Sequence, residues 1–407
     1  MKLEALPVAL NTASVAAALP VLQDVLAGRR AVLPVPPDAR AATDLQDAMR
    51  VTDVTLDEAP GTLIACTSGS TGLPKGARLR AANLLASADA TASYLRARFG
   101  TAPGPWLLAL PPHHIAGLQV ILRSLHAGHS PTVMDGDGPF TAAGFVRATA
   151  DLRDRHPGEN LHTSLVPTQL HRLLDGTDDT DGADTSRALA ALREYAAILV
   201  GGAATSPELV ARCRQDGVPI VLTYGSSETA GGVVYDGEPI PGTVATIEEA
   251  SGRILLSGPT VADGYRNVDG ATEQDAFPAT GTFRTSDLGA VEDGVLTVRG
   301  RADGALNSGG LKILPEEVEA VLSAIGYRSC VVGLADDDLG EAVVALVESE
   351  ATAAELTDEV RAALKAAGTA GHLIPRRVLT TSALPATGPG KVDRRAVHAQ
   401  MRTRLRS

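Results

Sequence analysis

At 407 residues, with 44% hydrophobic and 21% charged side chains, the chain has the makeup of a globular protein too long for one core. Its net charge of -12 argues against a nucleic-acid binder, which needs a basic face. Three widely spaced cysteines, Cys66, Cys213 and Cys330, make neither a disulfide framework nor a zinc site, so free thiols are expected.

Residues 1–60 carry few signals beyond Ala-rich, helix-like stretches around Pro7, Pro20 and a turn at Pro34–Pro37. The start, Met1-Lys2-Leu3-Glu4, has one basic residue before an acid, and the apolar patch Val15–Leu22 is short and contains Pro20. That patch reads as core, not as a leader or membrane span, and the expected location is the cytoplasm. From Ile64 to Gly225 apolar strands alternate with helices. The predicted strands are Thr62–Cys66, Trp106–Leu110, Thr132–Met134, Thr163–Val166, Ala197–Val200 and Ile220–Thr223. The predicted helices are Leu84–Arg98, Ile115–Ala127, Phe145–Asp154, Thr168–Leu174 and Pro207–Asp216, with Asp175–Thr185 a mobile loop. This alternation predicts an α/β fold with a mostly parallel sheet covered on both faces.

After Gly242, short strands such as Ile254–Ser257 and Val295–Arg299 alternate with Gly-rich turns and predict a small β-rich subdomain. Near Gly304 a compact α+β module begins. Pro315 opens a helix with Val318, Val321, Leu322 and Ile325 on one face, closed by Gly326. Strands Ser329–Leu334 and Glu341–Ser349, a helix near Leu356–Ala367 and a strand near Arg377–Thr380 complete it.

The stretch Thr67-Ser68-Gly69-Ser70-Thr71-Gly72-Leu73-Pro74-Lys75-Gly76 concentrates glycines, hydroxyls and one lysine behind a buried strand. Glycines let backbone amides approach an anion, hydroxyls donate further bonds and lysine supplies charge, as a nucleotide triphosphate requires. It is not a Walker A loop, because Lys75 lies between Pro74 and Gly76. A second cluster, Thr223-Tyr224-Gly225-Ser226-Ser227-Glu228-Thr229, leaves the end of a parallel strand, where open α/β sheets bind ligands. A tyrosine there can stack on a purine and a carboxylate can hold magnesium.

Together these runs resemble the acyl-adenylate-forming superfamily of acyl-CoA ligases, luciferases and adenylation domains. Three later runs fit the same order: Arg284-Thr285-Ser286-Asp287-Leu288-Gly289, Gly300 to Glu319, and Pro385-Ala386-Thr387-Gly388-Pro389-Gly390-Lys391. The resemblance implies a large N-terminal adenylate-forming domain over residues 1–302, including the β-rich subdomain. A small mobile C-terminal domain over 303–407 would carry the lysine loop.

It also implies roles. Thr67, Ser68, Gly69, Ser70, Thr71 and Gly72 would cradle ATP, with Lys75 on its β- and γ-phosphates. Thr223, Tyr224, Gly225 and Ser227 would hold adenine and the α-phosphate, and Glu228 would bind Mg2+. Asp287 would take the ribose, while Gly202 and Ala203 flank adenine and the acyl group. His114 would gate the acyl pocket and Lys391 would serve adenylation. Arg301, Gly309 and Gly310 complete the cofactor-binding set, with a hinge at Asp303 and the Gly309–Gly310 loop swinging in for coenzyme A.

Three departures from the pattern stand out: Ser227 for threonine, Ala230 for cysteine, and Gly304 for an acid. The runs Pro112–Gly117 and Ser227–Gly237 look most like the o-succinylbenzoate–CoA ligase branch of menaquinone biosynthesis. A second substrate carboxylate would then need donors, with His114, Thr168, the Gly231-Gly232 amides and Arg123 as candidates. The partners expected are ATP, Mg2+, coenzyme A and a small carboxylate, with no nucleic acid or membrane and a homodimer left open. Another acyl-CoA ligase, a stand-alone enzyme loading a carrier protein, and a non-catalytic nucleotide-binding homologue are the alternatives.

Overall fold

A computed structural model describes residues 1–53, 55–67, 74–100, 103–135, 138, 140–175, 183–336, 338–351, 353–388 and 391–405. The large N-terminal part is built on two mixed sheets. The first runs Glu4–Pro7, Val32–Val35, Thr62–Thr67, Lys75–Arg80, with only the last strand antiparallel to its neighbour. The second has seven strands. They run Glu238–Pro239, Gly231–Tyr235, Ile220–Ser226, Tyr195–Val200, Leu161–Leu165, Trp106–Leu108, Thr132–Val133, and from Ile220–Ser226 to the Thr132–Val133 edge every pairing is parallel.

Side-chain alternation explains why this second sheet is covered twice. Trp106, Leu108, Ala197 and Leu199 join a core with helices Thr12–Leu26, Ala81–Phe99 and Ile115–His126. Leu107, Ala109, Ile198 and Val200 face the other way, toward helices Ala142–Arg155, Pro167–Asp175, Ala183–Leu192 and Pro207–Gln215. Successive residues of a strand point to opposite faces, so a strand apolar throughout must be buried on both.

The antiparallel sheet Val244–Ile247, Arg253–Ser257, Thr282–Glu292, Val295–Arg301 is the β-rich part. Beyond it, strands Leu306–Ser308, Leu311–Ile313, Ser329–Asp336, Gly340–Glu348 and Arg377–Thr381 form the C-terminal sheet. Helices Pro315–Ser323 and Ala353–Ala366 cover one face, and Arg394–Arg404 covers the other through Val397 and Met401.

Several expectations need correction. Pro34 is not in a turn: Val32–Val35 is a wholly buried strand, where apolar burial outweighs the breaker signal. Asp175 ends a helix and Ala183–Thr185 begin one, while residues 176–182 lie outside the described set. The helix opened by Pro315 stops at Ser323, before Ile325, and Gly326 sits in the left-handed region at φ 89°. The strand from Ile220 continues to Ser226, because the returning strand Gly231–Tyr235 pairs with it.

Candidate active site

The Gly/Ser/Thr loop closes a hairpin. Thr67 ends one strand, Lys75 opens the next, and the two are paired. Ser68, Gly69, Ser70, Thr71 and Gly72 lie outside the described residues. The base of the loop is stapled by Asn267, whose side chain accepts from Gly76 N at 3.1 Å and donates to Pro74 O at 2.8 Å. Asn267 belongs to the segment 263–267, which runs beside Lys75–Arg80 through backbone bonds from Asp263, Arg78 and Arg266. A buried ion pair between Arg266 and Glu58 anchors that segment.

Tyr265 in the same segment reaches the second cluster. Its hydroxyl donates to Glu228 Oε1 at 2.6 Å, and the Lys75 ammonium lies 5.5 Å above its ring. Loop lysine, tyrosine and carboxylate therefore meet in one place. Burial, and then the Glu228 charge, push the Tyr265 hydroxyl well above its ordinary pKa, so it stays a proton donor. The preceding Gly264 sits at φ 126°, a backbone conformation that side chains rarely adopt.

Glu228 sits in the 3-10 turn Ser227–Thr229 between the two paired strands. It is 6% exposed, and among the described residues no cation pairs with it. The turn is held by Ala230, a non-glycine residue at φ 54°, whose carbonyl accepts from Gln119 Nε2 at 2.7 Å and Ser87 Oγ at 3.1 Å. Gly225 is required on the strand side, where a Cβ would meet Gly231 O at 2.1 Å.

One step back on the strand, the Tyr224 hydroxyl donates to Asp287 Oδ2 at 2.7 Å. Asp287 lies mid-strand beside a bulge, opposite Arg301. Arg301 stands 3.7 Å from Asp287 and forms a two-bond fork with Asp303 at 2.9 and 2.6 Å. The neighbouring parallel strand ends at Val200, and two residues beyond it Gly202 sits at φ 81° before Ala203, while Thr223 Oγ1 donates to Val200 O at 3.3 Å.

His114 caps helix Ile115–His126, with its ring 4.3 Å from that of His113. Burial lowers the pKa of both, that of His113 to about 4, so they stand neutral at neutral pH. Thr168 lies in the first turn of Pro167–Asp175. Arg123 is elsewhere: it packs 5.5 Å from the Trp106 ring and donates to Tyr235 OH at 3.2 Å. Trp106 starts its strand, so Arg123 faces the amino end of the sheet, not the ligand end.

Gly309 and Gly310, at φ 58° and 78°, form the two-residue turn of the hairpin Leu306–Ser308/Leu311–Ile313. Lys391 heads strand Lys391–Val392, paired with Ala386–Gly388, and Gly390 lies outside the described residues. Three residues on, Arg394 bonds Glu319 at 2.6 Å and Glu316 at 3.0 Å on helix Pro315–Ser323. Sequence reading missed Tyr265, Asn267, Gln119 and Ser87 as working parts. Each is a polar residue that becomes informative only once its distant partner is known.

The AMP-binding enzyme description matches residues 9–266, and that of the AMP-binding enzyme C-terminal domain matches residues 317–391. The chain belongs to the AMP-binding enzyme family. Within the AMP-binding enzymes it is 41% identical, over 93% of its length and 94% of theirs, to a probable 2-succinylbenzoate–CoA ligase of Mycobacterium tuberculosis. A 2-succinylbenzoate–CoA ligase of Enterococcus faecalis is 32% identical over 81% of this chain and 67% of its own. Among solved AMP-binding structures, an E. coli MenE variant with bound OSB-AMS superposes with TM-score 0.73 at 26% identity. That match covers 98% of this chain and 87% of the other. Among the described residues no helix is long and apolar enough to cross a membrane.

Proposed function

We propose that this AMP-binding enzyme is a 2-succinylbenzoate–CoA ligase, which joins 2-succinylbenzoate to coenzyme A with ATP cleaved to AMP and pyrophosphate. The observation that carries the chemistry is Glu228. It is a carboxylate 6% exposed, with one neutral donor and no cation partner among the described residues. A buried unpaired carboxylate is costly and calls for a cation, and hard oxygen donors suit Mg2+. Likeness to the M. tuberculosis protein supplies the substrate.

In the first half-reaction a substrate carboxylate oxygen attacks the α-phosphorus and pyrophosphate leaves. In the second, the coenzyme A sulfur attacks the acyl carbon, its proton is lost, and AMP leaves. Glu228 would hold Mg2+, which when bound would offset phosphate charge. Lys75 and the amides of residues 67–72 take the β- and γ-phosphates, and Tyr265 fixes the carboxylate in place. Tyr224 and Ser227 line the adenine and α-phosphate positions, and Asp287, charge-balanced by Arg301, accepts from ribose hydroxyls. Gly202 and Ala203 flank the acyl end, with neutral His114 as its gate.

No protein nucleophile is required. Burial raises the Cys66 thiol to about 12, Cys213 to about 11 and Cys330 to about 12, so none offers a thiolate at neutral pH. Positioning and electrostatics carry the rate. We divide the chain at 302/303, with Lys391 serving adenylation and the Gly309–Gly310 turn serving thioester formation after rotation about Asp303. The enzyme works in the cytoplasm, alone or as a homodimer.

The test is a substrate panel in ATP–pyrophosphate exchange and coenzyme A ligation, run beside Lys391→Ala. 2-Succinylbenzoate should be preferred by about tenfold or more over benzoylpropionate, which leaves buried donors unsatisfied. Equal use of benzoylpropionate would overturn the substrate. Lys391→Ala should lose adenylation by roughly 10²–10³ while still converting preformed acyl-adenylate. Equal losses in both halves would overturn the two-posture assignment.

A further inference from the structure

The opposite end of the seven-stranded sheet holds a second group of ligand-bearing side chains. His129 lies in the link before strand Thr132–Val133, and His156 and Glu159 lie in the link before Leu161–Leu165. These two strands flank Trp106–Leu108 on its two sides, so the links meet at the amino ends of the strands. His156 Nδ1 is 3.1 Å from Glu159 Oε1 and His129 Nε2 is 3.4 Å from Glu159 Oε2. The ring centroids of the two histidines are 5.1 Å apart, at 86°. One ligand atom from each of the three residues lies within 4.8 Å of the others.

We propose that His129, His156 and Glu159 form a site for a borderline divalent cation of the Zn2+ class. Two imidazoles and one carboxylate are a common zinc donor set, with bonds near 2.0–2.2 Å. Tetrahedral coordination at that length separates ligand atoms by about 3.3 Å. The two imidazoles face different oxygens of Glu159, and one ligand atom from each residue already lies within 4.8 Å of the others, so rotation of the carboxylate and rings toward a common centre would seat an ion. Water would take the fourth position, toward the half-exposed side of Glu159.

The ligands are held from behind. His129 N donates to Ser124 O at 2.9 Å, and His156 N donates to Leu152 O at 3.1 Å. Arg153 donates to the Glu159 carbonyl at 2.9 Å while its Nε faces Glu194, which leaves the Glu159 carboxylate to the imidazoles. Gly158, at φ 79°, allows the turn that brings residues 156 and 159 together. This site differs from Glu228 in place and in chemistry. It lies at the strands' amino ends, and its nitrogen donors favour zinc over magnesium. A bound ion would clamp the two-residue edge strand Thr132–Val133 to the sheet across its neighbour.

The experiment titrates Zn2+ and Co2+ into the full-length, tag-free protein after chelation, by calorimetry and visible absorption. Expected are one equivalent of Zn2+ per chain, four-coordinate Co2+ bands, a raised melting temperature, and no displacement by millimolar Mg2+. His156→Ala and Glu159→Gln should each weaken binding tenfold or more while leaving the metal-free melting curve and Mg-ATP-dependent turnover unchanged. Absence of saturable binding, or binding unaltered in both variants, would overturn the proposal. If His156→Ala also lowers metal-free stability, Glu159→Gln alone decides through the same titration.

Discussion

The candidate active site contains two carboxylates, each held by a tyrosine hydroxyl, and they are balanced differently. Glu228 takes a 2.6 Å bond from Tyr265, is almost fully buried, and has no cation partner among the described residues. Asp287 takes a 2.7 Å bond from Tyr224 but lies partly in solvent, with Arg301 at 3.7 Å and Asp303 competing for that guanidinium. A buried carboxylate with no cation retains its full affinity for a metal ion. One already facing arginine is better suited to accepting bonds from neutral hydroxyls. The same tyrosine–carboxylate pairing is therefore suited to two different purposes, set by burial and by the next charge along.

Glu228→Gln keeps size and removes charge, so it should give the largest effect. Adenylation should fall by roughly 10²–10³, with a raised magnesium requirement at saturating ATP. An unchanged magnesium titration would remove Glu228 from the metal site. Asp287→Asn should raise KM for ATP by about tenfold at an unchanged magnesium requirement, consistent with one charge-assisted bond. A changed magnesium requirement in that variant would erase the contrast between the pairs.

Tyr265→Phe leaves Glu228 without its donor and should destabilise the free protein by about 1–3 kcal/mol. Saturating Mg-ATP should recover part of this, because the cation then satisfies the carboxylate. Thermal scans with and without Mg-ATP measure it, and an equal loss in both would mean the bond is structural only.

A separate effect, read through pH, lies outside both pairs. Burial lowers His162 from the ordinary 6.5 to about 4, while the unfolded chain titrates normally. Between those values the unfolded state binds a proton that the folded state does not. Stability should therefore fall as pH drops from about 6.5 to 4, by up to about 1.4 kcal/mol per pH unit. His113, lowered to the same value, adds in the same direction. Urea unfolding across this range should show a shallower slope for His162→Phe, whose ring can keep the stack on Trp106. An unchanged slope would show that His162 is not the titrating group.

Periodicity made the two-sided sheet readable, because Trp106–Leu108 and Tyr195–Val200 are apolar at every position and must be covered on both faces. The runs Thr67–Gly76 and Thr223–Thr229 were readable as family signatures because glycine, hydroxyl and charge fall close together in the chain. What escaped was long-range. Tyr265 meets Glu228 across 37 residues, Gln119 meets Ala230 across 111, and Asn267 meets Pro74 across 193. Nothing local marks such pairs, since each residue would fit a polar turn or a helix face equally well. Arg123 shows the converse error. Its charge suggested a substrate contact, whereas helix Ile115–His126 carries it to the other end of the strand.

The three inert thiols have a consequence for the reaction's accuracy. With no cysteine thiolate at neutral pH to take the acyl group, the mixed anhydride is not leashed to the chain through sulfur. Its only restraint is residence, so the yield of thioester per ATP becomes a race between coenzyme A arriving and the intermediate diffusing away or meeting water. Scarcity of coenzyme A should then appear as futile AMP production, a leak whose size measures how tightly the cleft shuts.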